Sequence, residues 1–296
     1  MNKLISGPKL VVILLLIASS FTQSTAAEVN LPLQALTPSP SQLKVEASFV
    51  SQRDQYSTSQ DLTFMTETRT YTRQGSSINL RASYGVVEAF APGIGYVSGT
   101  STTTSELKND LEEQTTKYKL KGPHDSEYFI EGSASPWMYR ISYFVSPGKK
   151  DFDTPALTES NASGRSATKV TVGFTQLLGP ISVFATALLP NQGTTSDGVS
   201  FKGGQETKLT ASMSLAHFIL SGHYRNKSQV DYSDSSFEEA WSKLSLESAL
   251  RLAFENFQVE PYVEYGVLAT STLGKRSVKS SSEINFGLRT VTLVGF

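Results

Sequence analysis

The sequence predicts an all-β fold: a transmembrane, antiparallel, up-and-down β-barrel of about 12 strands. Three observations predict it. Apolar residues recur at every second position through most of the chain, the period of an extended strand with one greasy face. The connections between those stretches alternate between short turns and long polar segments. The last stretch, Ser282 to Phe296, alternates in the same way and stops on an aromatic residue. A soluble domain would ordinarily fray into polar residues there.

The chain has 296 residues, enough for one large β domain, with a formal net charge of −1. That charge gives no pull towards nucleic acid. It is 39% hydrophobic, too little for a helical membrane protein but compatible with a barrel in which only alternate residues face lipid. Without cysteine there is neither disulfide nor thiolate chemistry.

In order, Lys3 and Lys9, the apolar run Leu10 to Ile17 and the small residues Ser24 to Ala27 read as a cleaved signal peptide, residues 1–27. Residues 28–42 form a Pro-rich linker, and residues 43–296 the barrel. Leu43, Val45, Ala47 and Phe49 give a first strand. From Leu62 to Tyr84 one parity persists through Gln74-Gly75-Ser76. Turn chemistry argues for a break there and parity for one strand. One strand keeps the total even, as single-chain bacterial barrels require. Phe90, Pro92, Ile94 and Tyr96 share the next face, and about Ser105 to Asp125 reads as a long exposed loop.

Strands then alternate around short turns near Pro136, Gly179, Ala216 and Asn256. Polar segments from Pro147 to Gly164, Asn191 to Gly204, Asn226 to Glu239 and Thr270 to Ser282 separate them. The sorting of short and long connections is that of a barrel with periplasmic turns and external loops. Trp137, beside a short turn, and Trp241, beside a long loop, are expected at opposite membrane interfaces.

The second face of these strands carries charge of both signs. Its lumen-lining candidates are Arg69, Arg81, Glu131, Arg140, Lys169, Lys208, His223, Arg225, Glu247, Arg251, Glu260, Glu264 and Arg289. At mid-membrane on the lipid face an Arg or Lys would cost about 2–4 kcal/mol. The same face on a soluble sheet would simply be wet. His217 and His223 read as sharing the inward face, about 20 Å apart along the strand, too far for one metal or one dyad. No metal, cofactor or nucleotide motif accompanies them.

The terminal strand resembles the final strand of bacterial outer-membrane barrels, which ends in Phe and is read by the barrel-assembly machinery. That resemblance marks Phe296 as an assembly signal. The segment Ile78 to Glu88, followed by Gly93-Ile94-Gly95-Tyr96, resembles the Tyr-Gly hairpin of a group of outer-membrane proteins. The group comprises the phenol-degradation meta-pathway proteins and the long-chain fatty-acid channel superfamily. The usual polar turn is replaced here by Val86-Val87-Glu88. The resemblance implies a Gram-negative outer membrane and its lipid as surroundings, and transport of small molecules, apolar ones included; it carries over no binding residue.

Three functions stay open on the sequence. The first is a diffusion channel or uptake porin. The second is a closed structural or adhesive barrel acting through its loops. The third, an outer-membrane lipid hydrolase, lacks a Ser-bearing motif and has its histidines on the wrong face, so no enzymatic activity is expected.

Overall fold

The computed structural model describes residues 37–296, apart from 63–64, 88, 109–112, 147–157, 160–164, 179, 196–197, 236, 239, 255–256, 271 and 274–275. The signal-peptide reading and most of the proline-rich linker therefore lie outside the described residues.

Twelve strands close into an antiparallel barrel. They are β1 (Gln42–Leu62), β2 (Met65–Tyr84), β3 (Ala91–Lys108), β4 (Glu113–Ala134), β5 (Trp137–Val145) and β6 (Ala167–Leu178). They continue as β7 (Ile181–Pro190), β8 (Glu206–Leu215), β9 (Phe218–Lys227), β10 (Trp241–Leu250), β11 (Phe257–Leu268) and β12 (Arg276–Gly295). Each strand pairs with its sequence neighbours, and β12 pairs with both β11 and β1 to shut the ring. In that seam Leu43 lies opposite Val294 and Phe49 opposite Leu288. Closure leaves the barrel body no edge to protect.

The alternation decides which face is which. Ile94, Tyr128, Trp137, Leu209, Phe218, Leu246, Tyr265 and Phe286 are exposed on the outer wall. Lys44, Glu127, Glu131, Glu247, Arg251 and Glu260 point inward and are almost completely buried. Trp241 departs from the expectation of an outer aromatic girdle. It shares the inward parity of Lys243 and Glu247, and Lys243 Nζ stands 5.5 Å from its ring centroid. His217 also departs: it sits exposed in the tight turn between β8 and β9, where strand parity no longer applies.

The strands differ in length. β1 to β4 run 18 to 22 residues, whereas β5 and β7 to β10 run 9 or 10. Crossing a bilayer takes about 9–11 tilted residues. The excess of β1 to β4 stands up as a polar wall, rich in Ser and Thr, beyond the end opposite the short turns. Gln74-Gly75-Ser76 lies within β2, paired with Arg53-Gln52-Ser51 on β1, so the single-strand reading holds through that point. The chain before it was misread. Leu62 ends β1 instead of opening the next strand, and β1 continues 13 residues past Phe49. The expected loop at about Ser105 to Asp125 is also corrected: most of it is strand, with Thr104 paired to Lys117 and Lys108 to Glu113.

On the short side the polar connections build a second, four-stranded sheet, from Gly193–Thr194, Ser200–Gly203, Val230–Tyr232 and Phe237–Glu238. This crown has its own small core of Phe201, Val230 and Tyr232, with Val199 against it. Gly203 and Gly204 both adopt positive φ (87° and 70°) where the chain turns from crown into β8.

At the opposite end the segment before β1 folds against the barrel mouth. Thr37 and Pro38 are buried there, and Thr37 Oγ1 bonds Ser133 Oγ at 2.6 Å. Ser41 N donates to Gly85 O at 2.8 Å, and Phe296 N to Ser41 O at 3.1 Å.

Candidate functional site: the barrel interior

The inward face is organised in three levels. Nearest the short turns lies an ionic cluster on β1, β2, β4 and β5. Glu131, fully buried, receives Lys44 Nζ at 2.9 Å, Ser83 Oγ at 2.6 Å and Arg140 at 2.5 Å. Arg140 also reaches Glu46 at 3.1 Å, and Lys44 reaches it at 2.9 Å. Arg81 bonds Glu127 at 2.6 Å although β3 separates their strands. The residue between them in register is Gly95. A Cβ there would lie 2.9 Å from Glu127 Oε2 and 3.2 Å from Arg81 Cγ, so the glycine keeps the passage between them open.

A second cluster occupies β8 to β12. Arg289 grips Glu247 with two parallel bonds, at 2.7 and 2.5 Å, the fork geometry that suits guanidinium to carboxylate. His223 Nδ1 meets Thr210 Oγ1 at 2.9 Å, and its Nε2 stands 3.7 Å from Glu247. Arg251 bonds Glu260 at 2.9 Å with both side chains buried. Glu264 accepts from Ser245 at 2.6 Å and from Asn285 at 3.0 Å. An apolar row crosses the same region: Ile219, Ala249 and Tyr262 pack together with Val50. In register that row passes through Gly287, where a Cβ would come within 2.2 Å of the Tyr262 ring. Arg289 lies 3.9 Å above the ring's centre.

Above these clusters are two adjacent chambers. The inner one has a volume of about 590 Å³, and Lys169, Lys208, Arg225 and Arg289 line it, with Met138, Phe184 and Leu188 as apolar wall. The outer one, about 600 Å³, lies between Gln52, Tyr56 and Tyr71 on one side and Trp241, Lys243 and Glu283 on the other. Arg225 lines both.

Twelve of the 13 sequence candidates thus meet in the two clusters and the inner chamber. Arg69 is the exception: it has the inward parity, but it stands on the protruding wall, paired with Glu67 at 3.1 Å, and lines neither chamber. Arg165 was missed. It precedes β6, outside any alternating stretch, yet it lines the inner chamber and donates to Gly203 O at 2.7 Å beneath the crown. Among the described residues no group of three or more His, Asp or Glu side chains is placed to hold a metal ion.

No protein-family model and no curated protein matches the chain. Solved structures do. An outer membrane channel from Pseudomonas putida F1 aligns over 92% of this chain and 100% of its own, with a TM-score of 0.57 at 9% identity. A FadL homologue from Pseudomonas aeruginosa aligns over 92% and 99%, at 8% identity and a TM-score of 0.41. A monoaromatic hydrocarbon channel, the TodX deltaS2S3 mutant, aligns over 93% and 98%, also at 8% and 0.41. The first likeness is one of fold, that of an outer-membrane barrel; the two weaker scores add no argument.

Proposed function

We propose that this chain is an outer-membrane channel of a Gram-negative bacterium, exported through a cleaved signal peptide and admitting small solutes. The observation that carries the reading is the pair of adjacent chambers, both lined by Arg225, inside a closed barrel with an apolar outer wall. Charge beside apolar wall in the inner chamber suits solutes that carry both characters better than purely apolar ones. The 12 inward candidates then line the path or its base. Purified protein in planar bilayers tests this. Discrete conductance steps, with solute flux into proteoliposomes, are expected; neither appearing would overturn it.

A second reading rests on the base. Lys44, Glu131, Arg251 and Glu260 are buried there, beside Thr37 and Pro38, so a closed barrel acting through wall and crown is the alternative. Removal of residues 28–41 discriminates: conductance rises if that segment restricts the path and stays absent if the barrel is closed. Phe296 supports a further part of the reading, recognition by the assembly machinery. Its deletion should impair membrane insertion while leaving detergent-refolded barrel intact, and normal insertion would remove that role.

A further inference from the structure

The inner chamber is unbalanced in charge. Among the described residues seven basic side chains line it against two acidic ones, Glu46 and Glu206. Both carboxylates are already engaged: Glu46 by Lys44 and Arg140, and Glu206 by Arg225 at 3.6 Å. Arg140 and Arg289 are committed in turn to Glu131 and Glu247. Lys169 and Lys208 are different. Neither ammonium group forms an ion pair or hydrogen bond among the described residues, and both line the chamber.

Their placement sharpens the point. Lys208 on β8 lies directly opposite Arg225 on β9, which lies directly opposite Lys243 on β10. Like charges facing each other across a sheet oppose folding. Lys243 is relieved by Glu283 and Arg225 by Glu206, whereas Lys208 forms no direct ion pair among the described residues, Glu264 and Glu247 acting on it only from a distance. Lys169 sits on β6 opposite Leu188, itself opposite Glu206. It is thus two strands from Lys208 and one same-face step along, about 12 Å between backbones at sheet spacings. The wall between the two lysines is formed by Leu188 and Thr186, with Phe184 one same-face step further along.

We propose that the inner chamber is a binding site for a small organic anion, whose carboxylate is held by Lys169 and Lys208 and whose apolar body lies on the Met138–Phe184–Leu188 wall. A volume of about 590 Å³ is that of a site for a compact molecule. Met138 and Phe184 form one buried apolar contact, which makes that wall firm. An anion supplies at contact the counter-charge that Glu127 offers Lys169, and Glu264 and Glu247 offer Lys208, only from a distance, and the apolar patch separates organic anions from inorganic ones. Arg225, shared with the outer chamber, offers the first cation met on the way in.

The site is placed on the transport path by the channel reading, so the test separates binding from conduction. Binding of benzoate, benzamide and inorganic phosphate to the detergent-folded protein is measured by titration calorimetry. Benzoate should bind at least tenfold more tightly than benzamide, its uncharged relative, and than phosphate. The K169Q/K208Q double variant should weaken benzoate at least tenfold, and K169R/K208R should restore most of it. Heat-modifiable gel mobility confirms that each variant is folded. Equal affinity for benzoate and benzamide, or no loss in K169Q/K208Q, overturns the proposal; phosphate binding as tightly as benzoate overturns its organic part. In bilayers, the wild-type protein should favour chloride over potassium, and K169E/K208E should reverse that preference. Calorimetric binding without conductance would sink the channel reading and leave the site standing. Conductance without benzoate binding would do the reverse.

Discussion

The two halves of the barrel cover its open end in opposite ways. Around β1 to β4 the strands themselves continue, 18 to 22 residues long, and the polar excess stays in the sheet. Around β7 to β10 the strands stop at 10 residues and the connections fold separately into the crown. At about 3.4 Å per residue, β1 measures roughly 70 Å along its length, against about 34 Å for β8. The wall is held by ladder hydrogen bonds and by cross-strand contacts such as the stacked Tyr56 and Tyr71 rings, 4.7 Å apart. The crown has instead a buried cluster at Phe201, Val230 and Tyr232, clamped from below by Arg165. Backbone pairing alone extends an element that is already nucleated, whereas a free-standing element needs a core.

The comparison predicts that damage to the shared base outweighs damage to either rim. Glu131→Ala would strand Lys44 and Arg140 without their buried counter-ion, and should cost about 3–5 kcal/mol in urea unfolding from lipid vesicles. A loss under about 1 kcal/mol would mean that water or Glu46 substitutes for it. Next, Phe201→Ala should destabilise the crown by about 3 kcal/mol. Faster hydrogen exchange at Ser200–Gly203 and Val230–Tyr232, with unchanged exchange in β8 and β9, is the expected signature. Joint loosening would show crown and barrel to be one cooperative unit.

The wall should respond more weakly. There the Arg276 guanidinium, hydrogen-bonded to Glu67, holds that carboxyl below the usual glutamate range. A carboxyl lowered in the folded state contributes above its unfolded value, about 4.3, and ceases to as pH falls through its folded value. Exchange at Glu67 and Arg276 should therefore rise only below about pH 4, and Glu67→Gln should abolish that dependence. The smallest effect is expected from shortening. Ser57 and Thr70 are register partners, so replacing residues 58–69 by Asn-Gly should re-form the hairpin. Stability should change by no more than about 1 kcal/mol. Failure to fold would give the wall a role in assembly.

The same comparison explains what the sequence could and could not disclose. Where one face meets lipid and the other the interior, hydrophobicity alternates, and β5 to β11 and β12 from Ser282 onward were readable, whereas Arg276 to Ser281, read as part of a polar connection, are strand. Beyond Val50 both faces of β1 are polar, Ser, Gln, Arg and Asp following without an apolar period, so in the sequence strand is indistinguishable from loop. The stretch from about Ser105 to Asp125, read as a loop, likewise carries no apolar period. The crown escaped because Phe201, Val230 and Tyr232 are isolated apolar residues on two separate connections. Within the interior, parity disclosed which residues face inward but not their partners: Lys44 and Glu131 are 87 positions apart. Only the registers of β1 on β2, β2 on β3 and β3 on β4 bring them together. Arg165 had no parity to be read from.

The unequal strand lengths also undo part of what closure achieves. Ladder pairing between β4 and β5 starts at Ser126 and Val145, and pairing between β11 and β12 starts at Gly266 and Glu283. Past those points the wall is an open sheet with two sides. Among the described residues, the edge of β4 away from β3, from Glu113 to Asp125, has only Thr158–Glu159 as a partner, and the edge of the start of β12 away from β1 has Thr272–Leu273. Among the described residues, a barrel otherwise free of open margins thus carries two rows of backbone donors and acceptors on the wall. Each is long enough to accept an extended peptide as an added strand.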